Sequence, residues 1–138
     1  MNKAEISEKF KIEEEIRKHF NDSEHFNAIK AEPIVGGNSR HEFDIYQKGS
    51  VIGGITTSPW KNNTGSNNSG GQDRVAAELL WLTLWPGVER RVMILSGKDM
   101  AERILKRWQG CSFPHSVEIF YYDLSTNCIQ RQGILAKI

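Results

Sequence analysis

The sequence predicts a single α/β (α+β) domain, a mixed central sheet with helices on both faces. Three observations predict it. The 138 residues, 38% hydrophobic and 25% charged, suit one core and argue against disorder. The apolar pattern alternates between helical and strand periodicity in the order α-β-β-β-α-β-α-β. The later strand–helix–strand–helix–strand series needs crossover connections and a partly parallel sheet, whereas the first three strands, joined by short turns, are expected to be antiparallel.

The first helix is predicted over residues 4–20, where Ile6, Phe10, Ile16 and Phe20 fall on one face, and Asn21-Asp22-Ser23 ends it. Residues 28–35 form a weak strand in which Pro33 signals an edge or a bulge. After the turn Gly36-Gly37-Asn38-Ser39, residues 41–47 form a strand with Phe43 and Ile45 on one face and Asp44 and Tyr46 on the other. Lys48-Gly49 turns the chain into a returning strand over residues 51–57. Gly53-Gly54 lies inside that strand and not before a helix, so it marks a bulge or a close approach, not a phosphate loop. The low-complexity stretch Ser58 to Gly71 is expected to be a mobile loop. Ser69 caps the next helix, with Gln72 completing a capping box, and Pro86-Gly87 stops it after Trp85. The nearly all-apolar run 91–96 reads as a central strand buried on both faces. A helix over 98–108, a strand over 117–123 and an irregular strand over 128–137 complete the chain.

Composition narrows the function. A net charge of +1 gives no global pull on nucleic acid, so any such binding needs a local basic patch. The start MNKAEISEKF has no apolar core, which argues against a signal peptide, and no apolar run approaches the roughly 18–20 residues of a membrane helix; a cytoplasmic protein is expected. Cys111 and Cys128 are far apart without a CxxC pair and are expected to be free thiols. His19, His25, His41 and His115 show no zinc-ligand spacing. Trp81 and Trp85 exceed what one face of the second long helix can bury, which predicts a homodimer.

The order of elements over residues 4–96, with Phe43-Asp44-Ile45-Tyr46 followed by Val51-Ile52-Gly53-Gly54-Ile55-Thr56, resembles the restriction-endonuclease-like fold of the PD-(D/E)XK nuclease superfamily. In that family one strand presents an Asp, and the next presents an acid, a spacer and a Lys. The acids hold Mg²⁺ and the Lys helps a water attack the phosphate. The spacing has a physical reason: residues i and i+2 on a strand point the same way, and hard oxygen ligands suit Mg²⁺. Asp44 matches the first position. Gly54 and Thr56 stand where the family has the acid and the Lys.

Some members of the superfamily have moved an acid onto the following helix, and Glu78, the one ionised residue between Val75 and Trp85, is the candidate here. The family also places an auxiliary acid on the first helix. Glu13 is the candidate, since at 100° per residue it lies about 20° from Ile6. Lys61 is the nearest downstream Lys that could substitute. The resemblance thus implies a DNA-processing protein with catalytic Asp44, Glu78 and Lys61 and Mg²⁺ ligands Asp44, Glu78 and Glu13. Each has a plainer alternative. Asp44 fits a polar strand face, Glu78 an ion pair with Arg74, Glu13 a pair with Lys9 or Arg17, and Lys61 a solvated charge. Trp60, Lys61, Gln72 and Arg74 are the candidate DNA contacts, with Trp60 able either to stack on a base or to anchor the loop. The alternative function is a catalytically inactive nuclease-like module that binds DNA or protein.

Overall fold

The computed structural model describes residues 2–136, apart from the side chain of Ile6; the Ile6 part of the expected apolar stripe and residue 137 of the expected last strand lie outside them. Asn2 opens α1 (Lys3–Glu24) with a capping box. Its side chain accepts the Glu5 N–H at 2.9 Å, and the Glu5 carboxylate accepts the Asn2 N–H at 3.2 Å. The helix runs through Asn21-Asp22-Ser23 and ends at His25, φ 61°. Asn21 does not break it because its side chain is spent on the next segment, bonding both the N–H and the carbonyl of Ala28 at 3.0 Å.

Pro33 divides the expected strand 28–35 into β1 (Ile29–Ala31) and β2 (Ile34–Gly36). β2 pairs with β3 (Ser39–Arg40) as a separate ribbon, turned at Gly37 with φ +55°. β4 (Phe43–Gln47), β5 (Val51–Thr56), α2 (Ser69–Leu84), β6 (Arg90–Leu95), α3 (Lys98–Trp108), β7 (Val117–Asp123) and β8 (Cys128–Leu135) follow. The six-stranded sheet has the order β1-β4-β5-β6-β7-β8. Its β5–β6 and β6–β7 pairs are parallel and the others antiparallel, so the mixed α/β class is present with its crossovers. No helix among the described residues is long and apolar enough to cross a membrane.

Each face of the sheet has its own core. Ile16 and Phe20 of α1 pack on Ile45, Val51, Ile55, Val92, Ile94 and Phe120. Val75, Leu79 and Leu82 of α2, with Met100 and Ile104 of α3, pack on Ile52, Met93, Leu95 and Ile119 across the sheet. Each fully buried Ile, Leu or Phe stabilises the fold by about 1.5–3 kcal/mol. Phe10, further along the α1 stripe, is half exposed.

α2 is capped by Asn68, not by the expected Ser69; the Asn68 side chain accepts the Gly71 N–H at 3.2 Å. Its other end has no basic residue of its own. The buried Arg91 of β6 supplies one, donating to the carbonyls of Leu82 at 2.8 Å, Trp85 at 2.6 Å and Gly87 at 3.1 Å. The two tryptophans of this region are not surplus. Trp85 is buried, with its indole N–H on Glu89 at 2.9 Å, and Trp81 is stacked on His41. The large apolar side chains that α2 leaves exposed are Leu80 and Leu84, so the tryptophans no longer argue for a homodimer. Cys111 and Cys128 are free and exposed.

Candidate active site

The site begins with an irregularity in β4. Its pairing with β1 sets Ile29 against Tyr46 and Ala31 against Phe43, so one strand advances three residues where the other advances two, a β-bulge. Strict alternation therefore fails here: Phe43 joins the core under α2 and Ile45 the core under α1, not one face as expected. Pairing of β4 with β5 covers Ile45 to Gln47 and stops short of Asp44. The Asp44 carboxylate takes over as acceptor, receiving the Ile55 N–H at 2.9 Å, and the Asp44 carbonyl accepts from Arg17 Nη1 at 3.1 Å. The side chain is thereby tied to the end of β5 at the wall of a cleft of about 760 Å³.

Four carboxylates line this cleft: Glu13 from α1, Glu42 just before β4, Asp44 from β4 and Glu78 from α2. Glu78 reaches the sheet because β5 has no side chain at Gly54. A Cβ added there would lie 2.8 Å from Glu78 Oε2. At the preceding residue a Cβ would collide with the Val92 carbonyl, so the paired glycines do mark close approaches, one by a neighbouring strand and one by a carboxylate. Glu78 Oε1 lies 2.8 Å from His41 Nε2. Oε2 is buried and has no hydrogen-bond partner among the described residues. An unsatisfied carboxylate oxygen is costly, which makes it the outlying feature of the molecule.

Electrostatics set Glu78, Asp44 and Glu13 apart from ordinary surface carboxylates. Burial pushes the pKa of Glu78 up, only partly offset by His41, and the charge of Asp44 pushes it further. Burial also raises Asp44, against the Ile55 N–H, Lys30 and Arg17. Glu13 is raised by burial first and by Asp44 second. The cleft thus gathers carboxyl groups in a poorly solvated place, with Lys9, Lys30 and Arg74 also in its lining, and a nearby cation would favour their charged forms.

Asp44, Glu78 and Glu13 are brought together, but Lys61 is not with them. It is exposed on the loop, bridged to Asn67, and does not line the cleft. Two lysines do, Lys9 of α1 and Lys30 of β1; Lys30 lies opposite the bulged pair Asp44–Ile45, with Nζ 3.2 Å from Glu42 and 4.7 Å from the Phe10 ring centroid. Sequence reasoning missed Lys30 because the register of a three-residue edge strand leaves no local signal. It missed His41 because a histidine beside a single acid has no ligand spacing. Arg74 lines the cleft but bonds the Gly70 carbonyl at 3.4 Å, not Glu78. Glu13 makes no ion pair with Lys9 or Arg17 among the described residues, since Arg17 is directed to Asp44.

The loop after β5 is built, not structureless. Asn62 Oδ1 accepts from the N–H groups of Thr64 and Ser66, each at 3.1 Å, and Asn68 Nδ2 donates to the Pro59 carbonyl at 3.0 Å. Trp60 is buried beneath the guanidinium groups of Arg103 and Arg107, at 5.4 and 4.7 Å, so it anchors the loop and presents no face to a base. Gln72 donates to the Trp60 carbonyl at 3.1 Å and is likewise committed to the loop. Of the four expected nucleic-acid contacts, Arg74 alone lies at the cleft.

The carboxylates line one cleft without being drawn to one point: among the described residues no group of three or more His, Cys, Asp or Glu side chains is arranged to hold a metal ion. No family model matches the chain, and neither a curated protein nor a solved structure matches it.

Proposed function

We propose that the chain is a DNA-processing protein of the PD-(D/E)XK nuclease-like kind, a Mg²⁺-dependent phosphodiesterase whose second acid has moved from the strand position Gly54 to Glu78 on α2. One observation carries this reading. The Glu78 carboxylate occupies the space beside Gly54 where a side chain of β5 would begin, and one of its oxygens is buried without a partner among the described residues.

The donors are of the kind a hard divalent cation takes, although among the described residues they are not gathered at one point. Asp44, Glu78 and Glu13 offer oxygen ligands from three elements, and the raised pKa values of all three mark charge that an ion would compensate. A bound Mg²⁺ supplies stabilisation of charge developing on the phosphate and a more acidic water. Asp44 is fixed by the Ile55 N–H, so it approaches a ligand without first losing much side-chain freedom. Lys30, whose charge acts on both Asp44 and Glu13, takes the role first given to Lys61, a cation beside the attacking water. Arg74 at the cleft wall suits a flanking phosphate.

The test is cleavage of plasmid DNA with Mg²⁺ or Mn²⁺. Asp44→Ala and Glu78→Gln are each expected to lower the rate by roughly 100-fold or more, and Lys61→Ala to leave it unchanged. Equal rates for wild type and Asp44→Ala, or no cleavage under any condition, remove the enzymatic reading. A second reading, a binding module with a decayed site, is favoured by Thr56 at the Lys position and by the absence, among the described residues, of a ready-formed metal group. Salt-dependent gel shifts of duplex DNA without cleavage would select it.

A further inference from the structure

We propose that the end of α3 and the loop after β5 form a docking surface for the phosphate backbone of duplex DNA, with Arg103, Lys106 and Arg107 as its cations. The proposal rests on the reading of the chain as DNA-binding, and on none of the cleft acids. At a net charge of +1 such a surface has to be local, and the sequence shows where acids are missing. No Asp or Glu stands between Asp44 and Asp73, a stretch that holds the loop, and none between Glu102 and Glu118, a stretch that holds the end of α3. The fold lays these two acid-free stretches together. Trp60 of the loop is buried beneath the guanidinium groups of Arg103 and Arg107, 5.4 and 4.7 Å from its ring centroid.

Arg103, Lys106 and Arg107 are all exposed. Arg103 pairs with Asp99 at 3.0 Å, whereas Lys106 and Arg107 make no ion pair among the described residues. A helix C-terminus attracts cations by itself, which accounts for Lys106 and Arg107 in the last turn. It does not account for the acid-free loop beside them. Stacking on Trp60 restrains both guanidinium planes, and an arginine fork already held loses less freedom for each hydrogen bond to phosphate. The loop adds exposed neutral donors, Asn63 and Asn67 among them. Among the described residues neither the loop nor α3 exposes a large apolar side chain. A lipid surface or a protein partner wants an apolar centre, whereas a hydrated phosphate backbone wants cations and neutral donors. Pro59 and Asn68 of the same loop line the cleft, so the loop joins this surface to the cleft wall. A purely structural role, in which the arginines only cover Trp60, predicts a loss of stability and an unchanged response of DNA binding to salt.

Fluorescence anisotropy of a labelled duplex separates the two, read in EDTA at about 50 to 200 mM salt beside thermal melts. Arg103→Gln, Lys106→Gln and Arg107→Gln are each expected to flatten the slope of log K against log salt by about 1, whatever the duplex sequence. Arg107→Lys keeps the charge and is expected to keep the wild-type slope. Wild-type affinity and slope in the folded Gln variants overturn the docking surface and leave DNA binding to another part of the chain. If the arginine variants do not fold, Lys106→Gln decides, and a wild-type slope for it overturns the proposal. Equal affinity for phosphatidylserine vesicles or for poly-glutamate overturns DNA as the partner. Absence of duplex binding by wild type overturns the surface and the DNA reading together. Binding that weakens in the variants, with no cleavage by wild type under any condition, upholds the surface and removes the enzymatic reading alone.

Discussion

Glu78 shows what a half-buried carboxylate does to a small fold. Its pKa is raised, chiefly by burial, and those of Asp44 and Glu13 are raised beside it. A carboxyl whose folded pKa exceeds its unfolded value favours the folded state fully below the unfolded pKa, and that contribution is lost as pH rises through the folded pKa. Glu118 works in the opposite direction, its pKa lowered through Arg90 and Arg131, so the profile of the whole protein mixes both signs. The difference between variants isolates the site. Glu78→Gln is expected to melt above wild type at neutral pH without metal, and the gap should close as the solution is acidified through the carboxylate range. A gap that does not depend on pH would remove the assignment of Glu78 as a strained acid. The same residue scale explains why Asp44 was legible in the sequence and Lys30 was not. Asp44 announced itself as an acid in a strand, whereas Lys30 matters through the residue it faces across a bulge.

At the scale of elements, the proposed site is an exchange between a strand and a helix. β5 gives up its side chain at Gly54, and α2 fills the space with a carboxylate. The exchange should be reversible. Glu78→Ala is expected to weaken Mn²⁺ binding by about 10-fold or more, and adding Gly54→Asp to that variant should restore part of the loss. Gly54→Asp alone brings two acids into one space and should destabilise the apo protein by about 1–3 kcal/mol. Calorimetry and denaturant melts on the three variants check both statements. Failure of the double variant to regain any affinity would count against the moved acid. The loop after β5 carries the complementary lesson. Its Asn- and Gly-rich composition reads as mobile, yet its asparagines close turns, and Trp60 inserts beneath two arginines that lie more than forty residues downstream. Composition reported the polarity of the segment but not the partners that order it.

At the scale of the whole molecule, the cleft is a junction. It draws Glu13 from the helix on one face of the sheet, Glu78 from a helix on the other, and Asp44 from the strand between them. An ion shared by the three would tie both layers together. Mn²⁺ is therefore expected to stabilise the fold by RT ln(1 + [L]/Kd), about 2.7 kcal/mol at a hundredfold excess over Kd, and so to raise the melting temperature, and the rise should vanish in Asp44→Ala. An equal rise in that variant would place the ion elsewhere. The sequence by itself determined the mixed α/β class, the parallel crossovers and the three acids, because periodicity, turn residues and an acid in an apolar run are local signals. The tertiary structure alone decided that β4 bulges, that Lys9 and Lys30 but not Lys61 line the cleft, that Trp60 is buried and that His41 lies against Glu78. Each of these depends on register between strands or packing between distant elements, where the energy lies in contacts that no stretch of sequence contains.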